Sequence, residues 1–361
     1  MEGLSMLRTI RSWIDRKYGA ITNPVNGLAN PVFNNSNRIA RILYRSNAYR
    51  RLSWHMVRSG VPPREIIRSQ FPYIDRDPLR PVFLEVEFTN YCNLQCVYCT
   101  SPLGRRPRGY IEPETFANVV TGIEELGIHR VTVVGNGEPT LHPEFGQFIG
   151  RLGNVASYVS VLTNAQWHNA DEIIAAILQA RVRTIEISLD GTDKESYERA
   201  RVGGNFERLI SNLTLLKKLK ARTHRRVLTN IRLMLRPSER PLEQSMKKYW
   251  RQFADTVMAQ YLQERKALRL QKDLYKPAHH LSQEFPRCSQ PSNVLGVNWN
   301  GNVPLCNFSV EQAGPPGLIL GNIKNESLKN IWNGRVMRSY RRGHCDRIPD
   351  LMPICKGCTG N

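Results

Sequence analysis

The stretch VFLEVEFTNYCNLQCVYC, residues 82–99, runs a short strand-like segment into a loop that packs Cys92, Cys96 and Cys99 into eight positions. Residues 82–88 read as a strand, and five more runs of the same kind follow: RVTVVG (130–135), YVSVLTN (158–164), TIEISLD (184–190), LTNIRLML (228–235) and TVMAQYL (256–262). Segments of helical periodicity, such as 113–126 and 206–220, separate them. Alternating strands and helices demand parallel strands with crossover connections, hence an α/β sheet or barrel. Chemistry in such folds sits at the carboxyl ends of the strands, and the cysteine loop stands at one of them.

Outward from that core, 361 residues with 41% hydrophobic content suffice for one large domain and a smaller appended one. No apolar run reaches eighteen residues, and Arg8, Arg11, Asp15, Arg16 and Lys17 interrupt the N-terminus, so neither a membrane span nor a secretory segment is expected. The expected location is therefore cytoplasmic, a reducing compartment in which closely spaced cysteines serve metals or catalysis more often than disulfides. The formal charge of +20 predicts attraction to phosphate-bearing partners, nucleic acid or an anionic membrane surface.

Residues 1–80 read as a basic helical N-terminal extension. Over 38–58, Ile39, Leu43, Leu52 and Met56 fall near one helical face before Ser59, Gly60 and Pro62-Pro63 stop the helix, and a shorter amphipathic segment spans 4–18. The arginines there are either solvated or meet an anionic lipid or substrate. Residues 81–265 hold the strand–helix alternation. Residues 266–361 begin with a Lys/Arg-rich connector and end in a Pro- and Gly-punctuated tail with Cys288, Cys306, Cys345, Cys355 and Cys358, too short for a large core.

A four-iron cube ligated by four cysteines is saturated and carries electrons; three cysteines leave one iron open, as a catalytic centre requires. A zinc site built on the loop would be incomplete. The spacing C-x3-C-x2-C, with Tyr98 just before the last cysteine, resembles that of the radical S-adenosylmethionine superfamily. That resemblance implies a partial (β/α)6 TIM-like barrel and a [4Fe-4S] cluster held by Cys92, Cys96 and Cys99. S-adenosylmethionine would chelate the fourth iron and yield a 5′-deoxyadenosyl radical. GNGEP (135–139) resembles the family's GGEP motif, with Asn136 where glycine is usual and Gly137 and Glu138 in place, so its backbone is expected near the methionine amino group. Asn164, Ser188 and Asp190 are expected at the same rim, holding ribose hydroxyls, and Arg201 is the candidate for the cofactor carboxylate. Gly203 and Gly204 also read as an ordinary helix-initiating turn.

The tail, with Gly301 five positions before Cys306, the segment GNIKNESLKNIW (321–332) and the terminal CKGC, resembles the SPASM and twitch auxiliary domains of that superfamily. One auxiliary [4Fe-4S] cluster on Cys288, Cys306, Cys355 and Cys358 is the economical assignment. Cys345 either replaces one of them or stands outside the set, where it could donate a hydrogen atom in an epimerisation. Structural zinc is the alternative for the four. An auxiliary cluster near the substrate favours oxidation or cross-linking, with a flavodoxin- or ferredoxin-type protein supplying electrons to the catalytic cluster. The substrate readings are a small anionic or carbohydrate-type molecule, a ribosomally made peptide, and RNA.

Overall fold

In the computed structural model of the protein the described residues are 55–56, 59–61, 78–99, 101, 106–223, 227–261, 288–306, 319–352 and 355. The chain divides into two compact units, Met1–Phe71 and Pro72–Asn361. In the first unit the described residues form a helix end. The Ser59 N–H donates to the His55 carbonyl at 3.0 Å, the Val61 N–H to that of Met56 at 3.1 Å, and Gly60 takes a φ of +87°, the left-handed stop that glycine permits. The 4–18 segment and most of the 38–58 segment, and with them the suggested anionic contact, lie outside the described residues.

All six expected strands form in the second unit. In chain order the elements are β1 (Phe83–Val86), β2 (Gln95–Cys96), α1 (Pro113–Leu126), β3 (Arg130–Val133), α2 (Phe145–Val155), β4 (Tyr158–Thr163), α3 (Ala170–Gln179), β5 (Val182–Leu189), α4 (Lys194–Ala200), β6 (Arg201–Val202), α5 (Phe206–Ala221), β7 (Leu228–Leu235), α6 (Glu243–Trp250) and β8 (Thr256–Tyr261). The main strands lie in the order β8-β7-β5-β4-β3-β1, each pair parallel, which is the sheet of a partial TIM barrel.

Helix boundaries follow local chemistry. Pro113 opens α1, where its missing N–H costs nothing, and Gly127 closes it at φ +61°. The apolar stripes of α1 and α2 (Phe116, Val119, Ile123; Phe148, Ile149, Leu152) are buried, as are Leu84 and Val86 of β1. Phe116 and Phe148 stack at 4.1 Å, and Phe88 meets each edge-on at 5.8 Å. Because side chains alternate along a strand, the residues between them, Glu85 and Glu87 in β1 and its extension, turn to the opposite face.

A difference from the expected organisation appears after residue 288. The short α7 (Gln290–Asn293) leads into β9 (Val294–Val297), which pairs in parallel with β1, Phe83 opposite Val294 and Val86 opposite Val297, and makes the sheet 7-stranded. The tail is thus continued from the core's own sheet. It proceeds through an antiparallel hairpin, β10 (Asn302–Pro304) with β11 (Ile319–Asn322), then α8 (Leu328–Trp332) and α9 (Arg335–Asp346). Gly301 enters the hairpin at φ +86°, a conformation side chains resist. Arg341 of α9, fully buried, stacks over Trp332 at 3.7 Å and donates to the carbonyls of Pro291 and Trp332.

Candidate functional site

The cysteine loop leaves β1 at the carboxyl end of the sheet and is pinned on both sides. On one side β2 pairs with β6, which sets Cys96 opposite Arg201, and the Val97 N–H donates to the Ala200 carbonyl at 3.0 Å. On the other, Asn93 Nδ2 donates to the Gln166 carbonyl (3.0 Å), and Asn164 Nδ2 donates to Asn93 Oδ1 (2.8 Å) and reaches Cys92 Sγ at 3.9 Å. The Cys99 N–H closes a turn onto the Cys96 carbonyl, and the Ser101 N–H points at Cys99 Sγ from 3.4 Å. Desolvation pushes the Cys92 thiol up to about 11, against the lowering by the Leu94 N–H, and Glu138 and the neighbouring cysteines add to the rise. Thiols so placed ionise when a metal takes the charge.

The GNGEP loop packs against this one, and its glycines answer to the protein's own backbone. A Cβ on Gly137 would overlap the carbonyl oxygens of Tyr91 and Thr89, and one on Gly135 would stand 2.5 Å from Glu87 Cγ. The Glu138 N–H donates to the Tyr91 carbonyl at 2.8 Å. The Glu138 carboxylate, 2% exposed, accepts from Thr140 Oγ1, Thr163 Oγ1 and the Asn164 N–H. It therefore ties the loop to the end of β4. Burial raises its pKa, with those donors opposing. Asn136 accepts from Ser101 Oγ through its carbonyl and donates its N–H to Glu87 Oε1 at 3.0 Å.

At the end of β5 a buried network gathers three of the expected residues around Tyr98. Asp190 Oδ2 accepts from Tyr98 Oη at 2.6 Å and from Arg201 Nε at 2.5 Å, and Arg201 Nη2 donates to Ser188 Oγ at 2.9 Å. Burial raises the Tyr98 pKa, so the phenol stays protonated as donor. The Asp190 and Ser188 groups expected for ribose hydroxyls are thus engaged with Arg201. Gly203, at φ +90°, makes the turn into α5, whose N-cap is Asn205.

Four of the five tail cysteines fall on described residues: Cys288 just before α7, Cys306 after β10, Cys345 on α9 and Cys355 near the chain end, its N–H bonded to the Met352 carbonyl. Cys358 lies outside them. Cys345 stands one helical turn from Arg341, the residue that ties α9 to α7.

Glu87 was not singled out by the motifs. It is 4% exposed, holds Arg106 in a bidentate ion pair (2.8 and 2.9 Å), and accepts from the N–H groups of Asn136 and Trp299. The visible signal was a pair of glutamates alternating within the strand run LEVEF.

Among the described residues no three His, Cys, Asp or Glu side chains converge where one ion could sit. A single tetrahedral ion needs sulfurs within about 4 Å of one another, while a four-iron cube spreads its ligands over separate corners. Three cysteines on a pinned loop beside buried hydrogen-bonding groups fit a cube with one open corner.

Comparison with known proteins agrees. Residues 86–248 match the radical SAM superfamily and residues 288–359 match the SPASM iron–sulfur cluster-binding domain. Mycofactocin maturase MftC of Mycobacterium ulcerans (strain Agy99) is 29% identical over 133 residues, 37% of this chain and 36% of the maturase, so the match spans well under two thirds of that relative. The structure of BtrN in complex with AdoMet and 2-DOIA is similar with a TM-score of 0.50 at 16% identity, over 77% of this chain and 93% of BtrN. Streptococcus suis SuiB bound to precursor peptide SuiA gives 0.53 at 14% identity, over 77% of this chain and 71% of SuiB. These two show a shared fold.

Proposed function

Since the chain belongs to the radical S-adenosylmethionine superfamily and carries a SPASM domain, an enzyme whose cofactors are S-adenosylmethionine and iron–sulfur clusters, we propose that it abstracts a hydrogen atom from a small anionic or carbohydrate-type substrate and oxidises or epimerises it. The observation that supports the radical chemistry in this reading is the cysteine loop pinned at the strand ends by the β2–β6 ribbon and by Asn164; the substrate class rests on the basic charge of the chain. When bound, the cluster and S-adenosylmethionine supply one-electron cleavage of the sulfonium and hydrogen-atom abstraction.

Cys92, Cys96 and Cys99 hold the catalytic cluster in this reading. Cys288, Cys306, Cys355 and Cys358 hold the auxiliary one, and Cys345 stands outside both. Asn164 fixes Asn93 and faces Cys92; Tyr98 and Arg201, braced by Asp190 and Ser188, form the wall beside Cys96. Gly137 and Asn136 bring the GNGEP backbone against the loop, and Glu138 holds that backbone in place. Electrons come from an external flavodoxin- or ferredoxin-type donor. The basic N-terminal segment is the candidate for an anionic contact, a membrane surface or RNA among them.

Anaerobic protein with reductant is expected to convert S-adenosylmethionine to 5′-deoxyadenosine and to hold about eight irons, two cubes. Replacing all three loop cysteines by Ala should abolish cleavage and leave about four. Unchanged cleavage in that variant removes the loop assignment. Iron falling by about four in Cys345→Ala alone would put Cys345 in the ligand set.

The second reading is maturation of a ribosomally made peptide, supported by the sequence relation to MftC and the fold shared with SuiB, which binds SuiA. Deuterium transfer into 5′-deoxyadenosine from a deuterated polyol, or instead from a deuterated precursor peptide, decides between them.

A further inference from the structure

We infer that the outward face of α9 is a docking surface for an acidic one-electron carrier protein, held there by Arg335, Arg338 and Arg342. This rests on the oxidative reading above, in which an auxiliary cluster takes up the electron left on the substrate, and it names the partner that removes that electron.

The helix reads RVMRSYRRGHCD, four arginines against one aspartate. Met337, Tyr340, Arg341 and His344 form its buried side. At 3.6 residues per turn Arg335, Arg338 and Arg342 share the opposite, exposed side, and the Arg342 side chain is 72% exposed. Local chemistry opposes this arrangement. The macrodipole disfavours a cation at a helix N-terminus, yet Arg335 opens α9 and no carboxylate stands in its first turn. Like charges three and four positions apart repel as well. Basic side chains on α4 and α6 are matched instead: Lys194 by Glu198 and Glu207, Arg199 by Glu195, and Lys247 by Glu243. Among the described residues Arg335 and Arg338 pair with no carboxylate, and Arg342 has only Asp346, at 3.8 Å. The counter-charge this stripe calls for is one that an acidic partner brings.

Position selects the partner. Cys345, half-buried, lies on the flank of the same stripe, seven positions after Arg338 and three after Arg342. Arg341 Nε donates at 2.9 Å to the carbonyl of Pro291 in α7, which directly follows Cys288. The Ile348 N–H returns to the Gly343 carbonyl and starts the turn that leads to Cys355. The stripe thus sits on the outer side of the helix that joins the segments bearing Cys288, Cys345 and Cys355. Val336, 45% exposed beside Arg335, adds an apolar edge that suits a protein face better than a phosphate backbone. Oxidising the substrate by two electrons transfers one hydrogen atom to the cleaved cofactor and releases one electron and one proton. The proton goes to water, and the electron passes through the auxiliary site to the docked carrier, which arrives oxidised and leaves reduced by one electron.

The test uses full-length, iron-loaded protein with oxidised flavodoxin, an acidic one-electron carrier, as the probe. S-adenosylmethionine and substrate are left out, so that the result does not depend on the radical step. Calorimetry is expected to show saturable binding that weakens as salt rises above about 0.1 M, where charges are screened beyond roughly 10 Å. The triple variant Arg335→Glu, Arg338→Glu, Arg342→Glu should weaken binding about tenfold or more, whereas the corresponding triple Lys variant, which keeps the charge, should bind nearly as wild type does. The Glu variant should keep the iron of wild type and a thermal midpoint no lower, because it places carboxylates in the first turn; should it fail to fold, the triple Gln variant carries the test. Once photoreduced, it should also form flavodoxin semiquinone about tenfold more slowly than wild type. Protein lacking the three loop cysteines should bind flavodoxin as wild type does; loss of binding there would move the docking surface to the catalytic loop and overturn the proposal. No saturable binding to wild type, or equal affinity in wild type and the Glu variant, overturns it too. So does unchanged flavodoxin binding with loss of binding to bulk tRNA, which would make the stripe a nucleic-acid surface. Flavodoxin binding that follows the stripe, with no deuterium transferred from any substrate, leaves the surface standing and removes the oxidative reading instead.

Discussion

Asp190 and Arg201 are 5% and 4% exposed, and the carboxylate that balances the guanidinium also receives Tyr98. Removing one charge of a buried pair costs about 3–5 kcal/mol, since the other stays desolvated and uncompensated. Asp190→Asn should therefore lower stability by that order and weaken S-adenosylmethionine binding, read by denaturant midpoint and equilibrium dialysis. Tyr98→Phe deletes a single neutral donor and should cost about 1 kcal/mol. Equal losses in the two variants would mean that the pair is not what holds Arg201 beside Cys96. Gly137 poses a steric test at the same scale. A Cβ there would stand 2.5 Å from the Thr89 carbonyl oxygen, so Gly137→Ala must move the cysteine-loop backbone, at about 1–3 kcal/mol. Wild-type stability together with wild-type iron would show that the loops are not in contact as described.

His142 follows the short turn Pro139–Leu141 that the GNGEP loop runs into. Its Nδ1 accepts from the Glu144 N–H at 3.0 Å, which leaves Nε2 to donate to the Ile111 carbonyl at 2.9 Å. The neutral ring thus bridges this turn to the segment before α1. Burial lowers its pKa below 6.5, with the Ile111 carbonyl opposing. The folded state then binds fewer protons than the unfolded state, so this contribution is present above pH 6.5 and is lost as pH falls through that value toward the folded pKa. The urea midpoint should drop on going from pH 7.5 to 5.5, and less so in His142→Gln; an equal drop in both places the acid sensitivity elsewhere. Elements of this kind were partly legible. The six strands and the helices at 113–126 and 206–220 follow from periodicity and punctuating Pro or Gly, which act over a few residues. The two-residue ribbon β2–β6 was not legible, because QC and RV carry no strand pattern and pair across about a hundred positions.

At the scale of the whole molecule, the three closely spaced cysteines and the tail cysteines stand out in the sequence, since residue spacing is a local property. The parallel addition of β9 to β1 could not, because VLGV finds its partner more than two hundred residues away and no periodicity encodes that choice. The same distance hides Glu87. Its N–H donates to the Val297 carbonyl, its carboxylate takes the Trp299 N–H, and the ring of Trp299 lies against Gly109, beyond the cysteine loop. With Arg106 and Asn136 also bound, one side chain joins the sheet, the segment after the cysteines, the GNGEP loop and the tail. Glu87→Gln keeps the shape and removes the charge that pairs bidentately with the Arg106 side chain, 11% exposed. The expected cost is about 3–5 kcal/mol, and because the junction serves both cysteine groups, iron should fall below the roughly four per chain that the triple loop variant retains. Adding Arg106→Gln removes the other charge of the pair and should recover part of the loss, so the double variant is more stable than the sum of the singles. Strict additivity would reduce the ion pair to two independent packing contacts, and retention of about four irons in Glu87→Gln would confine its influence to the catalytic loop.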